Sequence, residues 1–199
     1  LDALRRFQRW ELLRLGTCDL LGLLALPTIT VHLSHLAESL VRLCLSLGVE
    51  RFGDENKGFA VLALGKLGGE ELNYSSDVDL VFLAAVPERA RRLAEWLIGA
   101  LSRPTAEGFL YRVDLRLRPW GEVGPLVVSV EGYLGYLQRH ARLWEKQALL
   151  KARVIAGDEA LGQAFLRRIA PLLCASTEEA RIAVHQMKRR IEEQLSRNG

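Results

Sequence analysis

One stretch limits the possible fold more than any other: Gly58 to Leu83, GFAVLALGKLGGEELNYSSDVDLVFL. Phe59 to Leu64 is an apolar run of strand length that ends at Gly65-Lys66, and Asp77-Val78-Asp79 opens a second apolar run, Leu80 to Leu83. The pattern predicts a strand, a glycine-rich turn, a short helical or irregular segment and a second strand. Side chains alternate along a strand, so Asp77 and Asp79 fall on one face and Val78, Leu80 and Phe82 on the other. The two aspartates are then about 6.6 Å apart at Cα.

Two carboxylates at the start of one strand face repel each other unless a cation lies between them. Their spacing lets oxygens converge on a metal pair about 3.5–4 Å apart. The plain alternative is a turn, because Asn73, Ser75, Ser76 and Asp77 all suit loops. The preceding G-K-L-G-G favours chemistry: glycines let backbone N–H groups approach a phosphate, and Lys66 adds a mobile positive charge. It is not a Walker A loop, since G-x-x-x-x-G-K-[ST] is absent. Phe109 to Arg118 predicts a third strand with Arg112, Asp114, Arg116 and Arg118 on one face. These are either cross-strand charge pairs, or Asp114 joins the other two aspartates while Arg116 and Arg118 receive phosphate through their planar forks. The second option gives metal-assisted transfer at a nucleotide phosphorus. Asp77, Asp79 and Asp114 hold Mg²⁺, with Mn²⁺ as the other candidate, and Gly65, Lys66, Gly68, Gly69, Arg116 and Arg118 bind phosphates. Ser76, in the same turn, joins the nucleotide-binding set.

A glycine turn followed at short range by D-x-D on a strand resembles the nucleotidyltransferase (polymerase-β-like) fold, with Gly65-Lys66 where that fold usually has glycine-serine. The likeness extends further. LGKLGGEELNYSSDVDL, Arg112-Val113-Asp114-Leu115-Arg116-Leu117-Arg118-Pro119, and the run from Trp144 to Arg153 occur in order. Together they resemble the signature blocks of the glutamine synthetase adenylyltransferase/adenylyl-removing enzymes, and so does Arg9 to Gly16. The resemblance implies an α+β fold: a small mixed sheet with helices packed around it, and helical N- and C-terminal segments. It divides the chain into a helical segment 1–50, a catalytic core 51–130 and a helical segment 131–199. It also makes Lys151 and Arg153 candidates for phosphate or nucleotide contact.

Enzymes of this family carry two copies of the fold, one attaching AMP to a tyrosine of glutamine synthetase and one removing it by phosphorolysis, with release of ADP. In the first copy R-L-R-P is followed by an aromatic residue, here Trp120, whereas the second reads R-L-R-P-S-G. The resemblance therefore implies the N-terminal, adenylyl-removing copy. The implied partners are adenylylated glutamine synthetase, phosphate, ADP or ATP and, through a longer enzyme, a PII-type signalling protein. Two other readings stay open: the forward adenylyltransferase, and a nucleotide-sensing or docking module without catalysis. The connection after Leu83 is shorter than the family's usual one.

Composition narrows the classes further. A net charge of +3 with no dense basic stripe among aromatics does not call for nucleic acid. No apolar run reaches membrane-spanning length; Leu20–Leu26 is short and interrupted by Gly22. Cys18, Cys44 and Cys174 form neither a metal-ligand spacing nor a disulfide framework, which fits a reducing cytoplasm and small buried apolar roles. Leu1-Asp2 reads as the edge of a piece cut from a longer polypeptide.

The remaining chain reads as mostly helical. Residues 1–26 predict a helix broken at Gly16-Thr17-Cys18-Asp19, with Leu4, Phe7, Leu12, Leu15 and Leu20 inward and Arg5, Arg6, Arg9 and Arg14 solvated. A second helix starts at Pro27-Thr28 and stops at Gly48; His32 and His35 on it are surface residues. Arg51 to Lys57 is a polar linker. Further helices are expected from Glu88 to Ser102, from Val130 to about His140 with Ser129 as cap, and from Arg142 to Val154 with Trp144 in the core and Glu145 orienting a basic residue. Leu126 to Val130 contains a short strand. Glu159 to Ile169 forms a helix that stops before Pro171. A capping box at Ser176 to Glu179 opens a last amphipathic helix.

Overall fold

In the computed structural model, which describes residues 1–53 and 58–173, the two apolar runs lie side by side at the centre of a sheet. The first is β1 (Phe59–Ala63) and the second β2 (Val78–Ala84), antiparallel from Phe59↔Ala84 to Ala63↔Leu80. Every β1 residue is buried, and so is every β2 residue except Asp79. Strands covered on both faces have no solvent side, which explains the unbroken apolar runs. A single helical turn, α3 (Gly65–Gly68), follows β1 directly. β3 (Val113–Asp114) and β4 (Val127–Val128) pair with β2 in parallel, and β5 (Arg153–Gly157) pairs with β1 antiparallel. The sheet is therefore mixed, with order β3-β2-β1-β5 and β4 also against β2.

Alternation along the central strands divides the core in two. Phe59, Val61, Ala63, Val78, Leu80 and Phe82 pack with α1 (Asp2–Leu20), α2 (Leu26–Phe52) and α4 (Pro87–Ser102). Ala60, Leu62, Leu64, Val81 and Leu83 face α5 (Val130–Arg139) and α7 (Glu159–Leu173), whose Tyr133, Leu137, Phe165 and Ile169 fill the second core. The first core thus joins residues on both sides of position 50, and the second joins residues on both sides of position 130. As expected, Ser129 caps α5, its hydroxyl accepting from Gly132 N. α4 begins only two residues after β2 ends.

Several elements differ from expectation for identifiable reasons. α1 runs unbroken through Gly16 to Leu20, and its docking is partly polar: Leu15 is buried and Leu4 and Leu12 pack on the core as expected, but Phe7 and Leu20 are exposed while Arg5 is 2% and Gln8 4% exposed. Arg5 bonds Asp2 and the Ala100 carbonyl, and Gln8 Nε2 donates to Leu110 O at 2.5 Å. Arg6 and Arg9 pair with Glu107. α2 continues past Gly48, which is needed there for contact: a methyl at 48 would lie 2.5 Å from Trp96 Cδ1. Leu43 and Leu47 on that helix are exposed.

The expected third strand keeps only Val113–Asp114, because Asp114 Oδ1 accepts from Arg116 N at 2.8 Å and folds the chain into a turn. The expected helix Arg142–Val154 splits into α6 (Leu143–Ala148), one 3-10 turn and the strand β5. Val154 and Ile155 are β-branched, and β1 offers them a free edge. Trp144 is 42% exposed rather than in the core. Glu145 serves the backbone and a tyrosine, accepting from Arg142 N at 2.8 Å and from the Tyr136 hydroxyl. α7 continues through Pro171, anchored by buried Phe165 and Ile169. Cys44 is buried and Cys18 half-buried, both free. His32 and His35 are exposed, as expected. Among the described residues no helix is long and apolar enough to cross a membrane. Cys174, the Ser176–Glu179 capping box, the last amphipathic helix and most of the linker lie outside the described residues.

Candidate active site

The entry of β2 is where polar residues gather. Asp77 immediately precedes the strand, and Asp79 is its second residue. β3 runs alongside in the same direction, with Val78 opposite Val113 and Asp79 opposite Asp114. Parallel register, reached by a crossover through α4, therefore brings the third carboxylate beside the second. The α3 turn lies on the other flank, and Leu64 N donates to Asp79 O at 2.9 Å.

Gly65 has φ +56°, and a methyl there would sit 2.3 Å from Asp79 Oδ2. The glycine is thus required twice: by its left-handed backbone and by the space the carboxylate occupies. Asp79 is half-buried. Its pKa is raised above the usual aspartate value first by burial, then by the negative charges of Asp114 and Asp77, with Arg116 and Lys66 opposing. Asp79 thus feels the charge of both other acids.

The outer two acids are engaged by arginines. Arg112 Nε donates to Asp77 Oδ1 at 2.5 Å and its Nη2 to Ser75 O at 2.8 Å. Arg116 straddles Asp114, with Nε 2.9 Å and Nη2 2.5 Å from Oδ2. These bonds hold the Asp114 carboxyl below the ordinary carboxylate range. With two acids turned to arginines, no group of three acid, histidine or cysteine side chains stands ready around one point among the described residues. The donor set is nonetheless suited to a hard cation: three carboxylates, one half-buried and destabilised by its neighbours' charge. A hollow of about 500 Å³ opens here, lined by Asp77, Asp114, Arg112, Arg116, Arg118 and Glu122.

Lys66 Nζ lies 3.5 Å from Ser76 Oγ, which itself donates to Asn73 Oδ1 at 2.6 Å, so both expected residues stand at this entry. The other expected phosphate ligands are employed elsewhere. Arg118 donates to the carbonyls of Leu115, Glu122 and Gly124 and fastens the loop after Pro119. Arg153 donates to Gly68 O and Leu67 O and pairs with Glu38, and Lys151 pairs with Glu71. Gly68 and Gly69 rest against Lys151. These residues brace the α3 turn from beneath. Arg112, by contrast, lines the hollow and pairs with Asp77, the cross-strand charge pairing that was one of the two expectations for its strand face. Its signal was its place two residues before Asp114 in an alternating charged run.

Comparison with known proteins adds a second line. A family model described as glutamate-ammonia ligase adenylyltransferase matches residues 1–168. A bifunctional glutamine synthetase adenylyltransferase/adenylyl-removing enzyme of Haemophilus ducreyi is 35% identical over 223 aligned positions, covering 99% of this chain and 23% of that protein. Proteins of the same description from Mannheimia haemolytica and Vibrio parahaemolyticus are 38% and 37% identical, over 83% and 90% of the chain. The chain spans no more than 23% of the length of these three relatives.

Proposed function

The chain belongs to the glutamate-ammonia ligase adenylyltransferase family, and from that premise we propose that it is a nucleotidyltransferase core that removes AMP from an adenylylated tyrosine of glutamine synthetase. The observation that carries the reading is the register pair Asp79↔Asp114 with Asp77 beside it, a carboxylate trio whose central member is destabilised as an anion first by burial and then by the other two. Asp77, Asp79 and Asp114 would hold Mg²⁺ or Mn²⁺. Bound there, a divalent ion supplies Lewis-acid stabilisation of the charge on the phosphoryl oxygens.

Inorganic phosphate attacks the AMP phosphorus; the new P–O bond gives ADP, and the bond to the tyrosine oxygen breaks. The phenolate leaves and is protonated by solvent, which suits a phenol of pKa about 10. Arg116 and Lys66 face the phosphate charge, and Gly65 keeps the Asp79 carboxylate in place. Trp120 after Arg118-Pro119 favours the removing reaction over the attaching one. A cytoplasmic setting and a PII-type regulator acting through a longer enzyme belong to the same reading.

The test is a paired assay. The protein is incubated with adenylylated glutamine synthetase, Mg²⁺ and phosphate, and in parallel with unmodified synthetase and ATP. Release of ADP in the first arm is expected, and Asp79→Asn should abolish it. ATP-dependent labelling without ADP release would assign the forward transferase instead. Nucleotide binding without either reaction would leave a docking module.

A further inference from the structure

The arginines around the site fall into two kinds. Arg118 spends its fork on backbone carbonyls; Arg153 bonds the Leu67 and Gly68 carbonyls and Glu38 behind the α3 turn, and its side chain is only 31% exposed. Arg116 is bonded to the Asp114 carboxylate, and Arg112 divides its donors between the Asp77 carboxylate and Ser75 O; their side chains are 71% and 60% exposed. The Arg112–Asp77 pair is exposed on both sides and contributes about 1 kcal/mol or less, whereas Arg116 sits two-pronged on an Asp114 side chain that is 15% exposed, so that acid gives up its arginine only to a competing charge. Asp79 alone of the three acids has no arginine on its carboxylate among the described residues.

We propose that Arg112 and Arg116 are exchange partners, resting on Asp77 and Asp114 while those acids are bare and turning to the oxygens of a phosphate when a divalent cation takes the acids. This deepens the catalytic reading above and rests on it. The consequence is that cation and phosphate bind cooperatively. A cation drawn to Asp79 must recruit Asp77 and Asp114 to complete its oxygen ligands, and each acid it takes frees a guanidinium. Those two forks border the same hollow. Arginine binds phosphate by paired parallel hydrogen bonds at least as well as carboxylate. Phosphate, by occupying the forks, in turn removes the competitor for the acids. Such coupling is reciprocal by necessity.

The experiment is calorimetric titration of the wild-type protein with Mn²⁺ with and without inorganic phosphate, and with phosphate with and without Mn²⁺, each corrected by a protein-free blank. Phosphate should tighten Mn²⁺ by about fivefold or more, and Mn²⁺ should tighten phosphate by the same factor. Arg116→Gln should bind Mn²⁺ alone more tightly than wild type, because the competing pair is gone, while losing most of the phosphate effect. Arg116→Lys, which keeps the charge without the fork, should keep only part of it. A merely structural arginine would not give that crossed pattern. Independent binding of the two ions to wild type, or weaker Mn²⁺ binding by a folded Arg116→Gln, overturns the exchange and leaves the catalytic reading standing. If wild type binds no Mn²⁺ at all, both fall together.

Discussion

Gly65 and Asp79 compete for one volume: the missing side chain of the first is the space filled by the carboxylate of the second, with 2.3 Å separating a would-be methyl carbon from Asp79 Oδ2. Gly65→Ala should therefore displace the acid as well as strain a backbone at φ +56°. The backbone strain costs about 1–2 kcal/mol. Deadenylylation should fall far more than that loss of stability explains, by about 100-fold, a cost expected when a reacting group is moved by an ångström. Thermal unfolding and initial rates measured on the same preparation check the two effects separately.

Asp79 and Asp114 should give stability opposite dependences on pH. The folded-state pKa of Asp79 is raised, so its favourable contribution is complete below the ordinary aspartate value and is lost as pH rises through the shifted one. Asp79→Asn should thus raise the melting temperature at neutral pH, an advantage that vanishes in acid, while removing activity. The pKa of Asp114 is lowered, first by the Arg116 hydrogen bonds, so its contribution is present at neutral pH and is lost as pH falls through the depressed value. Arg116→Gln should flatten that acid limb. Melting curves between pH 3 and 8, without divalent ions, read both.

Gly48→Ala provides a control remote from the chemistry. The added methyl would meet Trp96 Cδ1 at 2.5 Å and Leu93 Cδ1 at 2.7 Å inside the contact between α2 and α4. Overpacking of this kind costs about 1–3 kcal/mol. The denaturant midpoint should fall, while kcat per folded molecule stays at the wild-type value.

Lys151 and Arg153 distinguish bracing from binding. Arg153→Ala removes the donors to Leu67 O and Gly68 O and leaves buried acceptors beneath the α3 turn, at about 1–3 kcal/mol. Lys151→Ala breaks only an exposed pair with Glu71, worth about 1 kcal/mol or less. If the pair braces the turn, Arg153→Ala lowers stability and kcat, and Lys151→Ala changes little. If instead both contact phosphate, KM for phosphate rises in both variants.

The sheet's two central strands were legible because unbroken apolar runs are strong local signals, and they put Asp77 and Asp79 at the entry of the second; Asp114 comes opposite Asp79 only through the parallel register. The polar docking of α1 was not legible, because Arg5 and Gln8 look like surface residues until Ala100 and Leu110 arrive as their acceptors. The strand in Arg153–Gly157 was missed for a related reason: a short apolar run reads equally as helix, and only the free edge of β1 decides. The carbonyls that Arg118 binds belong to a loop that no spacing rule predicts, although Arg118 also lines the hollow.

α1 clasps residues Glu107 and Leu110, through Arg6, Arg9 and Gln8, and β3 begins three residues after Leu110. Only two register pairs tie β3 to its neighbour. The first helix is therefore linked to the third acid through a short stretch of chain that leads into a two-pair ladder. Displacing that helix would thus shift the segment that carries Asp114 without any contact at the carboxylates.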